Sequence, residues 1–258
     1  MKIKLSYTLP LLCAAICLCS CGTDTSRHSV AQSDTPVGAC ETTEDMGQEY
    51  IDSFIFIGES TTYHLKSRGV LRDGTKTLQV WAPKNGTANL DTTVSTLKIV
   101  FPDTGEEMTV GEAMARKRPQ RVLLTFGLNG AVTKIKKGEE YFRSCYLSLI
   151  GAIRRGSPDT QIILQSCFPI AADMDMSNYS VDSSTLMSYI DTINSWTKRL
   201  AHDEGLGYLN TAEVLKNSDG FLISEYHVGD GHHLTTEAYV EILKYIRTHA
   251  VAIRNLNA

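Results

Sequence analysis

Hydrophobic and polar positions along the chain alternate between short apolar runs and longer amphipathic stretches. Two of the apolar runs, residues 121–126 and 161–167, are nearly continuous, which is typical of strands covered by helices on both faces. The five predicted strands span residues 53–57, 77–81, 121–126, 161–167 and 207–210. Because they alternate with helical stretches, they predict βα units around a mainly parallel sheet.

Three amphipathic helices are predicted between or after these strands. One lies between Gly138 and Gly156, a longer one begins after the Ser183–Ser184 pair and ends before Gly205, and the last is capped by Thr235. Apolar residues recur at helical spacing in each segment, so each helix has one face that can pack against the sheet.

The N-terminus has the pattern of an export signal. Two lysines precede an apolar run at residues 5–18, which is shorter than the roughly 20 residues that span a bilayer. The run closes on Leu18-Cys19-Ser20-Cys21, which resembles the lipobox of bacterial lipoproteins. We therefore expect residues 1–20 to be removed and a lipidated Cys21 to anchor the chain outside the cytoplasm, in the bacterial cell envelope. An ordinary secretory leader is the alternative.

The segment that follows predicts a polar tether at residues 21–48 and one folded domain at residues 49–258. Cys40, Cys145 and Cys167 are the cysteines that would remain beside the lipidated one. Their odd number and the lack of a Cys-x-x-Cys spacing argue against a zinc site and against a full set of disulfides. Buried thiols are expected for Cys145 and Cys167.

Charge and composition narrow the choice of partners. Hydrophobic residues make up 42% and charged residues 21% of the chain, as in ordinary globular domains. The formal net charge is -4. Nucleic-acid binding needs clustered Lys and Arg, so no nucleic-acid partner is predicted.

The first predicted strand is followed by a candidate nucleophile. Residues 54–57 form an apolar run that continues directly into Gly58-Glu59-Ser60, which places Ser60 at the carboxyl end of a strand. Open α/β sheets bind their ligands at that edge, and a nucleophilic hydroxyl there could act in ester hydrolysis. The alternative is that Ser60 merely caps the following helix.

A second candidate segment stands before the last helix. Asp230 precedes His233 by three residues, a spacing that can bring the carboxylate to one ring nitrogen while the other nitrogen faces a serine. The alternative is a polar loop in which Asp230 caps a turn and the histidines are solvated.

Taken together, these segments resemble the motif blocks of the SGNH (GDSL-like) hydrolases, in the family's order across residues 50–251. The matching segments are Gly58-Glu59-Ser60, Gly127-Leu128-Asn129-Gly130 and Asp230-Gly231-His232-His233-Leu234-Thr235. Glu59 and Gly130 depart from the pattern, since the family usually has Asp at both positions. The α/β-hydrolase elbow fits less well, because Thr62 stands where that motif has its second glycine.

The resemblance implies a three-layer α/β/α, flavodoxin-like fold with a mainly parallel five-stranded sheet. It implies Ser60 as the nucleophile, His233 as the base and Asp230 as the residue that orients the base. The implied oxyanion donors are the Ser60 amide, Asn129 and a glycine amide for which Gly86 is the first choice, with Gly69 and Gly74 left open. No metal or organic cofactor is implied, and His64, His227 and His232 are expected at the surface or in support of the site.

The function implied is a membrane-anchored, extracytoplasmic serine esterase that removes acetyl groups from a carbohydrate or cell-wall glycan. A lysophospholipase or short-chain lipase is the alternative enzyme, and a non-catalytic glycan- or protein-binding lipoprotein is the alternative of another class. Three aromatic residues close in sequence to the motif blocks, Tyr63, Trp81 and Tyr226, are candidates for stacking on sugar rings.

Overall fold

The computed structural model describes residues 41–251. The predicted leader, Cys21, Cys40 and most of the predicted tether lie outside the described residues. No helix in the described part of the chain combines the length and the apolar character needed to cross a bilayer.

Within residues 41–251, seven strands form two sheets. They are β1 (Phe54–Gly58), β2 (Val80–Trp81), β3 (Lys98–Val100), β4 (Glu107–Thr109), β5 (Arg121–Thr125), β6 (Gln161–Gln165) and β7 (Gly207–Leu209). Five of them make one wholly parallel sheet in the order β2-β1-β5-β6-β7, and β3 and β4 form a separate antiparallel pair. Gly58 at the end of β1 stands opposite Thr125 at the end of β5, so the residues that follow these two strands lie side by side.

In the described part of the chain, seven α-helices accompany the strands. They are α1 (Gly47–Asp52), α2 (Ser60–Ser67), α3 (Val110–Lys117), α4 (Ala131–Lys137), α5 (Glu139–Gly156), α6 (Ser183–Asp203) and α7 (Thr236–Thr248). Polar caps begin several of them. Thr109 and Glu112 form a capping box at α3, Asp182 accepts from Thr185 N at α6, and Thr235 accepts from Ala238 N at α7.

The alternation of side chains along each strand divides the interior into two cores. Ile55 and Ile57 of β1 pack in the core that contains residues of α3, α4, α5 and α6. Phe54 and Phe56 point the other way and pack with residues of α1, α2 and α7. The sheet is therefore covered on both faces, which explains why its central strands are almost wholly buried.

All five predicted sheet strands and all three predicted helices are confirmed, with boundaries that differ by a few residues. The β3–β4 pair and the helices α1, α3 and α4 were not predicted. Cys145 and Cys167 are buried free thiols, as expected.

The predicted boundary of the domain at residue 49 stays a prediction, and residues just before it contact the folded part of the chain. The amides of Thr43 and Met46 donate to the carbonyl oxygens of Thr248 and Arg247 at the end of α7. Asp45 also pairs with Arg247 at 2.9 Å. These contacts are made by backbone and charged groups, so the polar composition that suggested a tether conceals them.

Candidate active site

Ser60 lies where β1 ends and α2 begins, at the carboxyl edge of the parallel sheet. The turn leaves no room for a side chain at Gly58, because a Cβ there would lie 2.3 Å from Thr62 Oγ1 and 2.4 Å from the carbonyl oxygen of Thr125. Glu59, not Ser60, occupies the N-cap position of α2. The Ser60 hydroxyl therefore does not have the capping role that a serine after a strand commonly takes.

Three side chains form one hydrogen-bonded chain from α2 to the loop before α7. Ser60 Oγ lies 3.0 Å from His233 Nε2, and His233 Nδ1 lies 2.7 Å from Asp230 Oδ2. The imidazole thus faces the hydroxyl with one nitrogen and the carboxylate with the other, which is the arrangement that lets a histidine accept a hydroxyl proton. The structure brings together the nucleophile, base and acid predicted from the sequence.

Asp230 is held as a carboxylate by more than its side-chain partner. Its Oδ1 accepts hydrogen bonds from the backbone N–H groups of His233 at 2.9 Å and His232 at 3.1 Å. Burial raises the pKa of Asp230, but these amides and the His233 side chain outweigh burial and hold that pKa well below its usual range. An ionised Asp230 favours the tautomer in which His233 Nδ1 carries the proton and Nε2 can accept one from Ser60.

His227 shapes the loop that carries the acid and the base. Its Nδ1 accepts hydrogen bonds from the amides of Gly229 at 3.1 Å and Gly231 at 3.0 Å. Gly231 has a φ of +81°, and a Cβ there would lie 2.6 Å from Met174 Cβ, so the turn requires glycine. His227 therefore supports the site without touching the Ser60 hydroxyl chain.

Glu59, the residue before Ser60, is buried and holds the segment that contains Asn129. Its Oε1 accepts a hydrogen bond from the Gly127 amide at 2.9 Å, and its Oε2 accepts from the Leu128 and Asn129 amides, both at 3.1 Å. Burial raises the pKa of Glu59, while a nearby lysine and these three amides lower it. The replacement of the family's usual Asp by Glu thus leaves a carboxylate that binds three successive amides.

The lysine is Lys134 on α4, which is only 5% exposed. Its ammonium donates to the carbonyl oxygen of Asn129. A buried carboxylate and a buried ammonium therefore hold the backbone of Asn129 from two sides. Sequence reasoning missed both anchors, because Glu59 was noted only as a departure from a motif and Lys134 lies on a helix that was not predicted.

Comparison with known proteins gives structural relatives but no sequence relatives. No protein-family model and no curated protein matches the chain. Among solved structures, the chain is similar to a protein from Streptococcus pneumonia named as a platelet activating factor. That similarity has 15% identity and a TM-score of 0.53, and it covers 79% of this chain and 91% of that one.

Two further structures have lower scores. A lipolytic protein of the G-D-S-L family from Desulfitobacterium hafniense has 17% identity and a TM-score of 0.49, over 76% of this chain and 98% of that one. A GDSL-like lipase from Bacteroides thetaiotaomicron has 17% identity and a TM-score of 0.49, over 75% and 85% of the two chains. At these sequence identities, structural similarity indicates a shared fold but does not show a shared activity.

The layers and the sheet order decide the fold. The chain has a three-layer α/β/α fold around a parallel five-stranded sheet. The three-layer α/β/α arrangement predicted from the sequence is confirmed.

Within this α/β/α fold, two of the predicted oxyanion donors differ in their hydrogen bonds. The Ser60 amide has no acceptor among residues 41–251. Asn129 Nδ2 donates to Thr87 Oγ1 at 3.0 Å and to Asn89 Oδ1 at 3.3 Å. These neighbours orient the Asn129 amide, and a bound oxyanion would compete with them for its protons. The oxyanion roles of Ser60 and Asn129 stay predictions.

The glycine donor does not fit the prediction in this conformation. Gly86 donates its amide to the carbonyl oxygen of Pro83 at 2.9 Å, closing a turn. The amides of the two alternatives, Gly69 and Gly74, likewise donate to carbonyl oxygens, at 3.0 and 2.8 Å. Gly86 instead provides a close approach for the ring of Tyr63, since a Cβ there would lie 3.0 Å from the ring. The turn geometry thus argues against Gly86 as an oxyanion donor.

The His233 ring contacts two other imidazoles. His64 lies one helical turn after Ser60 on α2, with its ring centroid 4.6 Å from that of His233, and His232 lies 4.0 Å away. His64 Nδ1 is buried without a hydrogen-bond partner among the described residues. Burial lowers the pKa of His64 to about 4, and the charges of His233 and Arg68 act in the same direction.

The aromatic candidates for sugar stacking fare differently. Trp81 is 1% exposed and packs edge-on against Phe101 at 5.6 Å, so the expectation of stacking on a sugar is wrong for this residue. Trp81 lies in the buried strand β2, so its side chain packs in the core. Tyr226 is half-buried and packs against one of the two cores, whereas Tyr63 is 37% exposed and stays a candidate.

Asp230, His232 and His233 are the only described residues whose ligand atoms cluster tightly enough to hold a metal ion, within 4.8 Å of one another. Asp230 and His233 direct their atoms at each other, at 2.7 Å. A metal ion bound there would replace the hydrogen bond that orients the base.

Proposed function

We propose that the chain is a serine esterase which acts outside the cytoplasm and removes acetyl groups from a carbohydrate or cell-wall glycan. The observation that carries the proposal is the hydrogen-bonded chain from Ser60 Oγ through His233 to Asp230, with distances of 3.0 and 2.7 Å. These distances lie within the range that proton transfer requires.

The reaction follows from this geometry. His233 Nε2 takes the proton of Ser60 as Oγ attacks the ester carbonyl, and Asp230 stabilises the charged imidazole. The proton on Nε2 then passes to the leaving alcohol, which departs and leaves an acyl-enzyme on Ser60. His233 next takes a proton from water, the hydroxide attacks the acyl carbonyl, and return of the proton to Ser60 Oγ releases the acid.

The surroundings of Ser60 support a polar substrate. The side chains next to the predicted donor Asn129 are Thr87 and Asn89, which are polar, and Tyr63 exposes part of its ring near Gly86. Such groups suit the hydroxyls of a sugar better than the chain of a lipid.

The test uses the full chain purified in a mild detergent, beside the Ser60→Ala variant. We expect the wild type to hydrolyse p-nitrophenyl acetate faster than longer esters, to release acetate from acetylated glycans, and to be labelled at Ser60 by a serine-directed phosphonate. A preference for long acyl chains would favour the lipase or lysophospholipase alternative. A folded wild type that is neither active nor labelled would favour the non-catalytic binding lipoprotein.

Attachment to the cell envelope is supported by the leader and the lipobox-like segment that ends at Cys21. It has its own test. In a bacterial host, the wild type should fractionate with membranes and incorporate labelled fatty acid, and Cys21→Ala should lose both. Unchanged fractionation of Cys21→Ala would overturn the anchor.

A further inference from the structure

The imidazole of His64 is a group at the site that acyl transfer by Ser60 does not itself use. Because His64 follows Ser60 by four positions on α2, the two side chains project from the same side of the helix. The ring of His64 contacts the ring of His233, which lies far away in the sequence. Their centroids are 4.6 Å apart, and the angle between the ring planes is 48°.

The buried face of His64 has no hydrogen-bond partner. Its Nδ1 is enclosed and unbonded among the described residues, so a proton there would be a buried donor without an acceptor. The titratable and charged groups that act on His64 are Arg68 on its own helix and Asp230, His232 and His233 from the loop before α7. Burial, with the charges of His233 and Arg68, lowers the pKa of His64 to about 4, so the His64 ring is neutral near pH 7.

A neutral ring at this place has two consequences. His233 gains a proton during acyl transfer, and a positive neighbour would oppose that step, whereas a neutral one does not. The His64 ring also lies against the imidazole of His233, with their centroids 4.6 Å apart, and this contact limits the motion of that imidazole.

We propose that His64 is a positioning residue whose ring packs against the imidazole of His233 and fixes the plane of that imidazole toward Ser60. This inference deepens the proposed esterase function and rests on it. His64 acts through the base and forms no bond with the substrate.

The experiment compares His64→Phe, which keeps a neutral ring, with His64→Ala, which removes the ring. His202→Ala, at an exposed histidine on α6, is the matched control. Hydrolysis of p-nitrophenyl acetate and phosphonate labelling of Ser60 are followed from pH 5 to 9, with the full chain in detergent. A proton NMR spectrum records the low-field resonance of the His233 Nδ1 proton.

We expect His64→Phe to stay within about threefold of the wild type and His64→Ala to lose about tenfold in kcat with little change in KM. The acid limb of the kcat/KM profile should move to higher pH in His64→Ala, because hydration favours the charged form of an imidazole. The low-field resonance should persist in His64→Phe and broaden through exchange with water in His64→Ala.

The proposal is overturned if His64→Ala matches the wild type in rate, acid limb and resonance, or if His64→Phe is impaired as much as His64→Ala. If the wild type itself is inactive and unlabelled, the proposed esterase function fails. The resonance of the His233–Asp230 proton then still decides whether the His64 ring holds the imidazole of His233 in place.

Discussion

Glu59 Oε1 accepts a hydrogen bond from the Gly127 amide at 2.9 Å, linking the end of β1 to the end of β5. Glu59 is also the residue directly before the predicted nucleophile, and its other oxygen accepts a hydrogen bond from the Asn129 amide. One buried carboxylate thus connects the residue before Ser60 to the predicted oxyanion donor. The ends of β1 and β5 are therefore joined by a buried side chain as well as by the pairing of the two strands.

The first prediction concerns this carboxylate. Glu59→Gln keeps the side-chain volume but replaces one acceptor oxygen by a donor, so at least one amide of residues 127–129 loses its partner. We expect a loss of about 1–3 kcal/mol in the free energy of unfolding and a fall of about 10- to 100-fold in kcat as Asn129 shifts. Urea unfolding and p-nitrophenyl acetate hydrolysis measure the two effects. Glu140→Gln, at an exposed position on α5, should change neither. A stability loss with unchanged kcat would assign Glu59 a structural role only.

The second prediction concerns the partner of the base. Asp230→Asn removes the charge that stabilises the imidazolium and allows the wrong tautomer of His233. We expect kcat to fall about a thousandfold or more, with KM nearly unchanged. Asp219→Asn, at an exposed position before β-bridge residue Leu222, is the control that should retain full activity. Activity of Asp230→Asn within tenfold of the wild type would rule out the proposed role.

The third prediction concerns the turn before Ser60. Gly58→Ala would place a Cβ against Thr62 Oγ1 and the carbonyl oxygen of Thr125, and the backbone oxygen cannot move aside. We expect a loss of about 3 kcal/mol in the free energy of unfolding. Gly111→Ala, on α3, meets its nearest atom at 3.4 Å and should stabilise the helix by up to about 1 kcal/mol. Thermal unfolding measures the stability of both variants, and equal changes in the two would contradict the prediction.

The fourth prediction concerns acid stability. The pKa of His64 is about 4 in the fold and about 6.5 in an unfolded chain, so between these values only the unfolded state binds the proton. Acidification from pH 7.5 to 5 therefore lowers the free energy of unfolding through His64. His64→Phe lacks this group and should lose about 1 kcal/mol less than the wild type over that interval, after allowance for solvent screening. Urea unfolding at the two pH values measures the difference, and equal losses would contradict the shifted pKa of His64.

The sheet strands could be predicted because burial on both faces requires continuous apolar runs, and β5 and β6 have them. The β3–β4 pair could not, since each strand has three residues of mixed polarity and gains its stability from packing beyond the strand. The helix α3 did carry a local signal, the Thr109–Glu112 capping box, but it is too short for its periodicity to stand out.

The candidate site likewise contains residues that a local sequence pattern predicts and residues that no local pattern predicts. Ser60 and the Asp230–His233 pair are local patterns, so the sequence alone indicates them. Hydrogen bonds and ring contacts between distant segments have no such pattern, and the roles of Glu59, Lys134 and His64 become visible only when β1, β5 and the loop before α7 meet. The spacing of His64 from Ser60 was the one available signal, and it predicts a shared helix face but not a partner. The Gly86 assignment depended on a turn whose hydrogen bonds the sequence does not specify.

The contacts of Thr43 and Met46 with the last turn of α7 also place the first described residues at the end of that helix. α7 begins beside the base and has 13 residues, so its far end lies about 20 Å from its start. The polypeptide enters the domain at that far end. A fusion partner or a solid support joined directly before residue 41 would therefore attach at the end of α7 that lies away from the Ser60–His233 hydrogen bond.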